Sequence, residues 1–176
     1  MLSKEDVLRG KNKYLRETYF NKLTDFIPVY EQEIFDRYSK IPNKTDFSKN
    51  LTILSPKSCY RTFGVLGLSY LINKTHKIPT YNYVSLQSAF AYNFQSENYD
   101  AYMWEDVLII SGNYKGFKKD TIPYIDEVIA EIIMVRRDAN KLTWLFLEDL
   151  TLSELKNSMP NTLKAAPLEK CLTLGG

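Results

Sequence analysis

From Leu51 onward the chain repeats one alternation: a short apolar run, a helical pattern, then another apolar run. The runs are LTIL (51–54), NYVSL (82–86), DVLII (106–110), TWLFL (143–147) and CLTL (171–174). Between them lie GVLGLSYLINK (64–74), SLQSAFAYNF (85–94), IPYIDEVIAEIIMVRR (122–137) and LSELKNSM (152–159). Runs this short, separated by helical segments, predict strands joined by crossovers. The expectation is an α/β fold, a five-stranded and mostly parallel sheet covered by helices on both faces. Ligands of such sheets bind at the carboxyl ends of the strands.

In the longest helical segment, Ile122, Ile125, Val128, Ile129, Ile132, Ile133 and Val135 form a wide apolar face. Asp120 and Thr121 offer a start for it, with Pro123 in the first turn, where a missing N–H costs little. Before Leu51 the texture differs. Val7, Leu8, Tyr14, Leu15, Tyr19, Leu23 and Phe26 recur at helical spacing over 4–26, with Ser3 as cap, and Pro28 ends the pattern. Tyr30, Ile34, Phe35 and Tyr38 mark a second short helix, and IPNKTDFSKN (41–50) reads as a polar linker. The expected organisation is a helical extension with linker over 1–48 and a core over 49–176.

Composition excludes several classes. The net charge is +2, which does not demand a nucleic-acid partner. Cys59 and Cys171 are far apart and His76 is the single histidine, so neither a zinc site nor a disulfide framework is expected. No apolar run approaches the roughly 18 residues of a membrane span, and no signal-peptide core opens the chain. A cytoplasmic protein without membrane contact is expected.

The stretch ILSPKSCYRTFG (53–64) has the spacing of a Walker A loop, G-x-x-x-x-G-K-[ST], but not its residues. Ser55 stands at the first glycine, Tyr60 at the second and Arg61 at the lysine; Thr62 alone is of the usual type. Position by position, residues 51–174 resemble the ATPase core of the DnaC-type helicase loaders and their IstB-type transposition relatives, in the AAA+ superfamily of P-loop NTPases. LTILSPKSCYRTFGVLGLSYLI takes the place of the first strand, Walker A loop and following helix. PTYNYVSLQSAF looks like the second strand, and DVLIISGNYKG corresponds to Walker B. VIAEIIMVRRDANKLTWLFLEDLTLSELKNSM resembles the helix, basic pair, fourth strand, sensor position and leucine-x-serine-x-glutamate-leucine step of these proteins.

The resemblance implies a replication role, with a replicative helicase or another primosome protein as partner and ATP or ADP with Mg²⁺ as cofactor. The departures from the pattern remove the catalytic parts. Glycines let a phosphate loop wrap its ligand, and the lysine reaches the outer phosphates. Ser111 and Gly112 fall where the metal-holding and water-activating acids belong, and neither carries charge or acts as a base. Glu148 and Asp149 occupy the sensor position. In 161–170 no arginine is present to reach a neighbouring subunit, and Lys164 is the nearest cation. A degenerate core with no bound cofactor is therefore expected.

The candidate residues each carry two readings. Lys57, Ser58, Arg61 and Thr62 form a residual phosphate site at a helix amino end, or are solvated cations and a helix cap. Tyr60 is then a plug in the vacated pocket. Glu148 and Asp149 serve metal or acid–base chemistry, or cap the helix near Ser153. Lys115, Lys118, Lys119, Arg136 and Arg137 offer single-stranded DNA a basic surface with Tyr114 and Phe117 as stacking rings, or are ordinary solvated cations. Leu8, Leu15, Tyr19 and Leu23 fold back on the core, or dock on a partner protein as a helix in a groove. Three functions follow: a helicase-loader-like replication protein that binds without hydrolysing ATP, a divergent ATPase using Arg61 and Thr62, or an assembly protein that keeps the fold alone.

Overall fold

The computed structural model describes residues 45–55, 60–75, 77–91 and 103–170. The chain divides into two compact units, 1–48 with 59–79, and 49–58 with 80–176.

The second unit is an α/β unit built on parallel strands. Its elements are β1 (Leu51–Ser55), β2 (Tyr81–Ser85), β3 (Val107–Gly112), β4 (Leu142–Glu148) and β5 (Leu168–Lys170), in spatial order β2-β3-β4-β1-β5. Each pair is parallel. Four strands of five to seven residues form the body of the sheet. A three-residue ladder, β5, extends its edge beside β1. The expected strand at 171–174 lies outside the described residues.

The central strands are buried at successive positions. Val107, Leu108, Ile109 and Ile110 are each 1% exposed or less, and Thr143 to Leu147 are fully buried. A continuous apolar run is what a parallel strand covered on both faces needs, and an alternating pattern would fail there. Helices α2 (Leu86–Ala91), α3 (Ile122–Asp138), α4 (Leu152–Ser158) and α5 (Pro160–Ala165) belong to the same unit. Ile125, Ile129 and Ile133 of α3 are fully buried and join Leu108, Ile110, Leu145 and Leu147 in one core. Each such isoleucine contributes roughly 1.5–3 kcal/mol by leaving water. Pro123 sits in the first turn of α3 as expected. The helix ends through Asn140 at φ 57, while the Asn140 and Lys141 amides donate to the Arg137 and Arg136 carbonyls.

One buried polar group connects α3 to α5. Asp126, 2% exposed, accepts the Asn161 N–H on Oδ2 at 3.0 Å and the Thr162 N–H on Oδ1 at 2.8 Å. It acts as a cap contributed from another helix, because Pro160 opens α5 and Met159 makes no side-chain capping bond.

In the first unit, helix α1 (Tyr60–Thr75) begins four residues before the pattern at 64 suggests. Of the polar linker expected over 41–50, residues 45–50 are described, and within them Phe47 is 6% and Asn50 8% exposed. Within this unit Phe47 packs against Tyr70 with ring centroids 6.1 Å apart and planes tilted by 53°. Asp46 accepts from Ser48 and Tyr70 and faces Lys74. The Ser48 hydroxyl bond is the largest of the influences that lower the Asp46 pKa. In the second unit Asn50 Oδ1 takes the Thr143 N–H at 2.9 Å, so a side chain fills a ladder position. The residues from 1 to 44, with Leu8, Leu15, Tyr19 and Leu23, lie outside the described residues.

Candidate functional site

The carboxyl edge of the sheet is where this architecture places ligand chemistry. β1 and β4 are neighbours whose onward connections leave in opposite directions along the sheet, to β2 and to β5. The register brings Ser55 beside Glu148, Ser85 beside Ser111, and Gly112 beside Leu147.

Ser111 and Gly112, expected at the Walker B positions, are the last residues of β3, and both are half-buried. Gly112 has φ +153, a backbone conformation that L side chains rarely adopt. A Cβ built there would stand 2.9 Å from Leu86 Cβ, which begins α2 and is fully buried. The obstacle is an atom next to the backbone of a packed helix, so it cannot swing away. Any side chain at 112, an acid included, therefore requires α2 to shift.

Several polar groups along the described part of this edge bond within the protein itself. Ser85 Oγ accepts the Ser88 N–H at 3.0 Å and donates to Ser88 Oγ at 2.8 Å, capping α2. Asn113 Oδ1 accepts the Lys115 N–H at 2.7 Å and caps a 3₁₀ turn, Tyr114–Gly116. Lys115 Nζ reaches the Asp149 carbonyl at 3.0 Å and Glu154 Oε1 at 3.1 Å. Thr151 and Glu154 form a complete capping box at the start of α4. The Thr151 N–H, followed by the Lys115 ammonium, holds the Glu154 carboxyl below its usual range.

This corrects the expectation that Glu148 or Asp149 caps α4. Glu148 is the half-buried last residue of β4, and exposed Asp149 turns the chain at φ 52. The turn delivers Thr151 to the cap, and Thr151 satisfies the helix amino end with its own hydroxyl. Among the described residues no group of three or more His, Cys, Asp or Glu side chains is arranged to hold a metal ion.

The Walker A positions divide. Lys57 and Ser58 lie outside the described residues, and so does the side chain of Thr62. Tyr60 opens α1 and is not among the left-handed positions. The Arg61 guanidinium lies 5.4 Å from the Tyr60 ring centroid, a contact worth about 0.5–1 kcal/mol where solvent reaches it.

The expected DNA surface is not assembled as the sequence suggested. Arg136 is fully buried. Its Nε donates to Thr143 Oγ1 at 2.9 Å, and Nη2 donates to the carbonyls of Glu105 at 2.9 Å and Leu142 at 2.8 Å. Burial pushes its pKa down to about 10, against the opposing pull of the Glu105 and Asp106 carboxylates. Tyr114 is 4% exposed, so its ring is not offered for stacking, and half-buried Phe117 packs edge-on against Phe90 at 5.8 Å. Lys118 and Lys119 are exposed, and exposed Arg137 pairs with Asp138 at 3.5 Å.

No family model matches the chain, and no curated protein matches it. Among solved structures it is similar to one assigned as a primosome component from Streptococcus pyogenes serotype M3. That match has 16% identity over 96% of this chain and 84% of the other, with a TM-score of 0.46. It is also similar to a DNA replication initiation factor at 10% identity and a TM-score of 0.43, over 96% of this chain. This chain spans 49% of that factor's length. At these values neither neighbour lends its function to the chain. Among the described residues no helix is long and apolar enough to cross a membrane.

Proposed function

We propose that the chain is a helicase-loader-like replication protein with a P-loop-type core that acts as a binding scaffold, engaging a replicative helicase or another primosome protein without hydrolysing ATP. The family part of this reading rests on the order and spacing of the motifs over 51–174. The observation that carries the loss of hydrolysis is Gly112, where a Cβ would meet Leu86 Cβ at 2.9 Å. A water-activating acid at that position is sterically disfavoured as well as absent from the sequence. Without such an acid and without charge at Ser111, a nucleotide at this edge would lack both a base and a metal anchor.

Calorimetric titration of ATP and ADP with Mg²⁺, with Arg61→Ala alongside, tests the reading. The expected outcome is no heat at high ligand concentration. Tight binding lost in the variant, together with Mg²⁺-dependent phosphate release, would restore the divergent ATPase. For the binding role, Leu8→Asp with Leu15→Asp is expected to abolish capture of a replicative helicase while leaving the melting temperature unchanged. Unchanged capture would remove that segment from the mechanism.

A further inference from the structure

The outer face of α3 carries apolar groups among charges that it does not neutralise. Met134 is 46% exposed and Tyr124 is 64% exposed. Beside Met134, α3 and α5 border a groove of about 520 Å³, whose apolar lining includes Ala130, Met134 and Ala165. Glu127 and Glu131 line it from α3, and Lys164 lines it from α5. Glu127, Glu131 and Met134 lie at i, i+4 and i+7, on one side of the helix. Arg137 and Asp138, at the same groove, neutralise each other. Glu127, Glu131 and Lys164 form no ion pair within 4.0 Å among the described residues.

The two signs are segregated, with the unpaired acids on one helix and the unpaired cation on the other. A groove lined only by acids would fit a cationic helix of some other protein. A surface with opposite charges on opposite ridges, and an apolar strip between, is complementary to a second copy of itself. In a two-fold pair the acids of α3 would face the partner copy's α5 cation, and Met134 would face the partner copy's apolar lining. Two-fold interfaces are self-complementary in this sense. We infer that the chain forms a homodimer through the α3–α5 face. This inference does not depend on the replication reading.

Sedimentation equilibrium of the full chain across a wide concentration range, at low and high salt, tests it. The expected result is a concentration-dependent dimer of the 20.5 kDa chain, weakened by salt. Glu131→Lys and Lys164→Glu singly should each weaken the dimer by about tenfold or more, since each change acts twice in a two-fold interface. The double reversal should restore most of the affinity, and Met134→Asp should abolish the dimer. All three positions are exposed or partly exposed, and an unchanged thermal melt checks that each variant is folded. A wild-type monomer at every concentration would overturn the proposal and leave the groove to a different partner. A dimer indifferent to Met134→Asp and to both reversals would also overturn it, because the copies would then meet elsewhere.

Discussion

Replacing Arg136 with methionine tests how the amino edge of the sheet is held. Among the described residues the guanidinium donates to Thr143 Oγ1 and to the Glu105 and Leu142 carbonyls. Methionine fills much of the same volume and donates nothing. A buried acceptor left without a donor costs about 1–3 kcal/mol, and partly buried carbonyls recover some of this from water. The Thr143 hydroxyl sits beside fully buried atoms and bears the full cost, while the two carbonyls bear part of theirs. Against this, methionine relieves the expense of burying a cation, which the lowered Arg136 pKa of about 10 records. The two carbonyls cannot be removed with the cation, so relief is the smaller effect. The net loss should be about 2–4 kcal/mol, a large share of the roughly 5–15 kcal/mol typical of a domain.

Urea unfolding followed by circular dichroism measures the loss as a midpoint shift of about 1–2 M at unchanged slope. Thr143→Val alone should lose about 1 kcal/mol, and less when added to Arg136→Met, since the hydroxyl is then already unpaired. A methionine variant with the wild-type midpoint would refute the reasoning, as would strict additivity in the double variant.

Gly112→Ala should destabilise by about 2–4 kcal/mol through backbone strain and the contact with Leu86, read as a lower urea midpoint; an unchanged midpoint would show that α2 yields easily. Asp126→Ala should lose about 2–3 kcal/mol by orphaning two amides at the start of α5, and Asp126→Asn, which keeps one acceptor, about half of that. Thr151→Ala should lose about 1 kcal/mol at neutral pH. Glu154 titrates below its usual 4.5 in the folded chain, so its stabilisation is present above the unfolded value and lost as pH falls through the folded one. The stability difference between wild type and Glu154→Gln should therefore shrink on acidification, and a difference that grows would contradict the assignment.

The strands and the long helix were legible because burial on both faces forces a readable composition. Val107 to Ile110 and Thr143 to Leu147 announce themselves, whereas the three-residue ladder at Leu168–Lys170 has too little pattern to place. Arg136 was misplaced although the signal existed. It lies seven residues after Ile129 and three after Ile133, on the inward stripe of α3, and only its adjacency to Arg137 suggested a surface pair. The α4 cap was equally visible as T-L-S-E (151–154), and the preceding acids drew attention from it. Phe47 and Asn50 were illegible, since their partners Tyr70 and Thr143 are distant in sequence. Gly112 was half legible: the glycine can be seen in the sequence, but the exclusion of a side chain there depends on Leu86, from another element.

A nucleotide site at the carboxyl edge of a parallel sheet depends on polar groups left unpaired until the ligand arrives. Here several of the described polar groups of that edge are satisfied from within. Ser85 serves α2, Asn113 the 3₁₀ turn, Thr151 and Glu154 each other, and Lys115 the turn at Asp149. The Lys115 contacts also link the loop after β3 to the loop after β4, two segments that a bound phosphate and its metal would otherwise hold together. An edge organised by its own side chains keeps its shape with no ligand present. Such a scaffold would present its surfaces to a partner in the same form whatever the nucleotide supply, which is what the proposed docking role requires.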